Sequence, residues 1–158
     1  MSSNDTIHAR LESLGLTLPV ASAPVANYVP AVAWNGLLVI SGQLPFKDGA
    51  VMYPGLLGRD VSVEQGTEAA RQCGLNIIAQ VAAALEGDLG RVEKIIRLGG
   101  FVACTPDFTA HPQVINGTSD LMVAVFDDIG RHARAATGAA SLPLNAPVEV
   151  DALVAIRD

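Results

Sequence analysis

The sequence predicts an α+β fold: a mixed β-sheet of about six strands with two main helices on one face, in the order βββαβαββ, plus an N-terminal helix. Three observations lead there. Short apolar runs flank the turn signals Asn35-Gly36 and Lys47-Asp48-Gly49, the pattern of hairpins. Two longer segments repeat apolar residues at three- and four-residue spacing behind helix-start signals. Two late runs, 133–140 and 148–156, read as strands. A chain of 158 residues has room for one compact domain, with 25–156 expected as its core and 1–24 as a helix and proline-rich arm.

Residues 5–15 read as the N-terminal helix, with Ile7, Leu11 and Leu14 on one side and Gly15 as the stop. Leu16 to Pro30 carries Pro19, Pro24 and Pro30 and is expected to be irregular. The first hairpin pairs Tyr28–Trp34 with Leu37–Ser41, and the second pairs Gln43–Phe46 with Ala50–Tyr53. Ser62 and Gln65 form a capping box that opens a long helix. Its stripe is Ala70, Cys73, Ile77, Val81 and Ala84, widened by Ile78 and Leu85, and it ends near Glu86-Gly87. A strand centred on Leu98–Ala103 follows. The second helix starts near Pro112, buries Val114, Thr118, Leu121, Val125 and Ile129, and stops at Gly130. Ala133–Ala140 and Val148–Ile156 close the sheet. The face away from the helices also carries apolar and small residues, which a homo-oligomer packing sheet against sheet would cover.

Composition narrows the function. Hydrophobic residues make up 50% of the chain and charged residues 16%, a globular balance. Ten Lys+Arg against sixteen Asp+Glu give a net charge of -6, and the basic residues are scattered singly, so no nucleic-acid partner is expected. Asn76 and Gln80 interrupt the best apolar stretch, so no membrane association is expected. The opening residues Met1 to Asp5 lack the features of a signal peptide, and the expected location is cytoplasmic. Cys73 and Cys104 read as inert core thiols.

The sequence holds no nucleotide-binding glycine loop, GxSxG or HExxH pattern. His8, His111 and His132 lack partners at metal-ligand spacing, so no metal is expected. Lys47 and Lys94 sit in a turn and near a helix-to-strand junction, poor places for a desolvated Schiff-base lysine. The informative stretch is His132 to Ala140, where strand alternation puts Arg134 on one face with His132, Ala136, Gly138 and Ala140. One long cation above a floor of tiny side chains suits a small carboxylate. It equally suits a surface or inter-subunit ion pair. On the last strand Glu149 and Asp151 face away from the apolar side, where an acid could position water or pair with an arginine.

Several segments occur in a telling order: Asn27-Tyr28-Val29-Pro30, Ile40-Ser41-Gly42-Gln43-Leu44-Pro45, Val114-Ile115-Asn116, Ala133-Arg134-Ala135, and Leu142-Pro143 followed by Val148-Glu149-Val150. Together they resemble the reactive-intermediate deaminase family, the Rid or YjgF type, also called L-PSP endoribonuclease-like. The resemblance spans about 25–156. It implies a chorismate-mutase-like fold, a homotrimer with three inter-subunit clefts, and cofactor-free hydrolysis of imines and enamines derived from amino acids to 2-oxo acids and ammonia. In that scheme Arg134 grips the substrate carboxylate and Glu149 serves the hydrolytic water, while Tyr28, Ser41, Gly42 and Asn116 line the cleft. The chain departs from the family around the arginine: the usual P-A-R-S-x-V is His132-Ala133-Arg134-Ala135-Ala136-Thr137, and a cysteine often found two residues after the arginine is Ala136. The alternatives are a trimeric binder of small carboxylates without turnover and, third, an endoribonuclease.

Overall fold

The computed structural model describes residues 1–23 and 26–157; Pro24, counted above with the arm, lies outside them. Helix α1 spans Ser3–Ser13. Strands β1 (Ala31–Trp34), β2 (Leu37–Gln43), β3 (Phe46–Lys47) and β4 (Ala50–Val51) precede helix α2 (Val63–Ala84). Strand β5 (Val92–Ala103), helix α3 (His111–Phe126), strand β6 (Ala133–Ala139) and strand β7 (Val148–Ile156) complete the order.

The main sheet has five strands, ordered β1-β2-β7-β5-β6. The expected count of about six in one sheet is corrected: β3 and β4 form a separate two-stranded ribbon. Pro45 has no amide hydrogen with which to extend the β2 ladder, and a register shift between Ile40 and Gln43 has already bent that strand. Strand β1 begins at Ala31, three residues later than expected, because Pro30 carries no N–H for pairing. Asn35 and Gly36, with φ of 49° and 74°, make the expected tight turn. Among the described strands of the main sheet only β5 and β6 pair in parallel, and α3 is the crossover that a parallel pair requires.

Helix α2 begins with the expected box, Ser62 Oγ accepting from the Gln65 amide at 3.1 Å and Gln65 Oε1 accepting from the Ser62 amide at 3.0 Å. Its buried stripe is as anticipated except that Ala84 is exposed. Ile129 falls in a 3-10 turn after α3, spanning Asp127–Gly130, and is partly buried there. Helices α2 and α3 pack at very short range. A Cβ on Gly117 would stand 2.0 Å from the Thr67 carbonyl, and Thr118 Oγ1 donates to the Ala70 carbonyl at 2.6 Å. Helix α1 packs on α3 through Arg10, which donates to the Val125 carbonyl and pairs with Asp127.

Both long helices cover one face of the sheet, burying Ile95, Leu98 and Val102 of β5 with Val148, Val150 and Val154 of β7. The other face remains open. Val32 and Val39 are each 49% exposed there and Trp34 73%, side by side because Val32 registers with Val39 and Trp34 with Leu37. No helix among the described residues is long and apolar enough to cross a membrane.

Candidate functional site

Strand parity decides where the charged candidates go. Glu149 lies between buried Val148 and Val150 on β7, so its side chain emerges on the open face. Opposite it stands Phe101 of β5, and Phe101 registers with Thr137 of β6. Arg134 is three residues before Thr137, an odd step, and therefore projects to the helix side. The two residues assigned to chemistry thus occupy opposite faces of the sheet.

Glu149 rests directly on Gly42. A Cβ at residue 42 would meet Glu149 Oε1 at 2.1 Å and its carboxyl carbon at 2.9 Å, so only glycine leaves the carboxyl where it is. No protein group hydrogen-bonds this carboxyl among the described residues. Burial raises its pKa above the ordinary glutamate value, and the nearby Asp151 charge adds to the effect. Asp151 itself pairs with Arg97 at 3.4 Å. Tyr28, Gly42 and Glu149 line one cleft of about 1200 Å3. Ser41 is not on its wall; its hydroxyl donates to the Val29 carbonyl at 2.8 Å and holds the approach to β1.

The far wall of this cleft comes from residues that sequence reading passed over. Gln72, Asn76 and Gln80 form a buried amide row along α2. Gln72 donates to Asn76 Oδ1 at 3.1 Å, Asn76 Nδ2 to the Leu44 and Phe46 carbonyls at 2.9 and 3.1 Å, and Gln80 to the Ser22 carbonyl at 3.0 Å. The row ties the N-terminal arm and the β2–β3 link to the helix. Their i, i+4, i+8 spacing was the available signal.

The second cluster sits where edge strand β6 lies over α3. Arg134 Nη1 donates to Asn116 Oδ1 at 2.8 Å and to Ser119 Oγ at 3.1 Å. Both partners are neutral, and Arg134 makes no ion pair among the described residues, so within one protomer its charge is uncompensated. His132 joins the cluster, with Nε2 2.8 Å from Ser119 Oγ and Nδ1 2.6 Å from the Gly130 carbonyl. Further along β6, a Cβ on Gly138 would crowd His111 Nε2 at 2.8 Å and Cys104 Sγ at 2.9 Å. Those two groups approach to 3.4 Å. Cys104 is only partly buried, unlike Cys73, and burial raises the pKa of both thiols, far more for Cys73.

Comparison with known proteins agrees with this architecture. Residues 8–155 match the family model described as "YjgF/chorismate_mutase-like, putative endoribonuclease". Protein TCP17 of Trypanosoma cruzi is 46% identical over 153 residues, covering 96% of this chain and 95% of that protein. The crystal structure of Atu1372, a protein of unknown function from Agrobacterium tumefaciens, has a TM-score of 0.92 at 52% identity, with 98% and 95% of the two chains covered. The YjgF gene product of E. coli is more distant, with a TM-score of 0.61 at 25% identity over 87% of this chain and 94% of its own.

Proposed function

Because the chain belongs to the YjgF/chorismate-mutase-like family, we propose that it hydrolyses reactive 2-imino acids and their enamine tautomers to 2-oxo acids and ammonia. Arg134 binds the substrate carboxylate. Glu149 takes a proton from water as the oxygen adds to the C=N carbon, and passes that proton to the nitrogen. In the resulting carbinolamine Glu149 takes the hydroxyl proton and delivers it to the amino group, the C–N bond breaks as C=O forms, and the nitrogen leaves as ammonia. The observation that carries this reading is Glu149 itself, a carboxyl held over Gly42 in a cleft with its proton affinity raised toward the working range of a general base.

A single protomer keeps the two halves apart, so the reading requires that Arg134 and Asn116 of one subunit complete the Glu149 cleft of the next, in a homotrimer. The exposed apolar face around Trp34, Val32 and Val39 supports burial against copies of the chain. The step needs no cofactor, since water adds to an already electrophilic carbon.

The test is hydrolysis of freshly generated 2-iminobutanoate and 2-iminopropanoate with semicarbazide as competing trap, wild type beside Arg134→Ala. Arg134-dependent acceleration is expected. No acceleration by a folded trimer would replace the reading with that of a carboxylate binder. The family description also carries RNA cleavage; a net charge of -6 is a poor electrostatic footprint for a polyanion, and cleavage abolished by Glu149→Gln would reverse that order.

A further inference from the structure

With the His132 ring neutral, the hydrogen bonds around Arg134 admit one arrangement of protons. The Gly130 carbonyl can only accept, so His132 Nδ1 carries a hydrogen and donates to it at 2.6 Å. The neutral ring then presents Nε2 as an acceptor, and the Ser119 hydroxyl donates to it at 2.8 Å. Ser119 Oγ is left with lone pairs only toward Arg134, and accepts from Nη1 at 3.1 Å. The other Nη1 hydrogen goes to Asn116 Oδ1 at 2.8 Å. Both hydrogens of Nη1 are therefore committed, while Nε and Nη2 have no partner among the described residues.

We propose that His132 and Ser119 are positioning residues that fix the Arg134 guanidinium so that its Nε–Nη2 edge is presented to a planar carboxylate. The edge offers two parallel N–H donors in the spacing of a carboxylate's oxygens. A long arginine otherwise samples many rotamers, and each that is lost on binding weakens affinity. Here the relay from the Gly130 carbonyl through His132 and Ser119 pre-sets one of them. All its polar partners are neutral, so the guanidinium is held without its charge being cancelled. A carboxylate partner in the place of Ser119 would hold it equally well and would compete with the ligand.

This rests on the reading of Arg134 as the carboxylate anchor, and the test separates the two. In His132→Asn the new amide can still donate to the Gly130 carbonyl but cannot reach Ser119. In His132→Gln the side-chain terminus takes the place of Nε2, and its oxygen can accept from Ser119. Three quantities are measured for wild type, both variants, Ser119→Ala and Arg134→Lys: KM and kcat with 2-iminobutanoate, and Kd for 2-oxobutanoate by calorimetry. We expect His132→Asn and Ser119→Ala to raise KM and Kd about tenfold, the size of one charge-assisted bond's ordering, with kcat nearly unchanged. His132→Gln should recover most of that loss.

Unchanged KM and Kd in His132→Asn and Ser119→Ala would overturn the proposal, as would a folded His132→Gln no better than His132→Asn. A fall in kcat alone would mark a structural role and also overturn it. If wild type binds 2-oxobutanoate through Arg134 but hydrolyses no imine, the hydrolase reading falls while Kd still decides the relay. If wild type binds no 2-oxobutanoate, both fall.

Discussion

Among the described residues, the Glu149 cleft and the Arg134 edge each leave one charge without an ionic partner directed at it, but by opposite means. Glu149 is placed by the absence of a side chain: Gly42 lets the carboxyl lie against backbone, and burial raises its proton affinity. Arg134 is placed by the presence of side chains, Asn116 and Ser119 holding one nitrogen and His132 holding Ser119. A backbone approach fixes a carboxyl at little ordering cost, whereas a long flexible cation needs a network. The two halves should therefore fail differently when disturbed.

Arg134→Ala should have the largest effect. Two charge-assisted bonds to the carboxylate, at about 2 kcal/mol each, correspond to a loss on the order of 1000-fold in kcat/KM, carried mainly by KM. Gly42→Ala comes next. The new Cβ forces the carboxyl aside, and a displacement of about 1 Å can cost on the order of 100-fold, here in kcat with KM nearly kept. Steady-state kinetics on both variants tests the contrast; if Gly42→Ala weakened 2-oxobutanoate binding as much as Arg134→Ala does, the division of labour between the two regions would be wrong.

Mixed assemblies should show a smaller effect. In a cyclic trimer whose sites pair Arg134 of one subunit with Glu149 of the next, every trimer containing both Arg134→Ala and Glu149→Gln chains regains one intact site. Random reassembly of equal amounts should recover about a quarter of wild-type activity. Sites complete within one protomer would recover none, which makes the refolded mixture a direct assay of subunit sharing.

Much of the scaffold could be read from the chain because it rests on local rules. The Ser62–Gln65 box and the Asn35-Gly36 turn act within four residues, and both formed where expected. The Arg134 stretch read as a cation over small residues; the structure shows its guanidinium bonded to Asn116 and Ser119 of α3. What escaped depends on tertiary register. Ser119 and His132 are 13 residues apart and meet only because β6 lies over α3; Cys104 and His111 meet at the same junction. The amide row on α2 was visible only as an interruption of apolar sequence, since its partners at Leu44, Phe46 and Ser22 are distant in the chain. Glu149 and Arg134 sat on recognisable strands, but their opposite faces follow from a three-strand register that no single segment encodes.

The smallest predicted effect concerns stability, and it separates the two regions most cleanly. Glu149 is partly buried and, among the described residues, has no hydrogen-bond partner; burial, with the nearby Asp151 charge, lifts its folded-state pKa above the unfolded value, so the folded state holds the proton more tightly. Stability contributed by this group is full below the ordinary glutamate value, falls as pH rises toward the raised value, and stays at the lower level above it. Glu149→Gln removes that penalty and should melt slightly higher than wild type at neutral pH, with the difference vanishing in acid, while hydrolysis is lost. Ser119→Ala should do the reverse at neutral pH, lowering stability slightly by leaving a hydrogen of Arg134 and the His132 acceptor unpaired. Thermal melts of both variants across pH test this: a Glu149→Gln protein less stable than wild type at pH 7 would mean that the carboxylate is stabilised in the fold, and that Glu149 is a structural acid instead of a strained functional one.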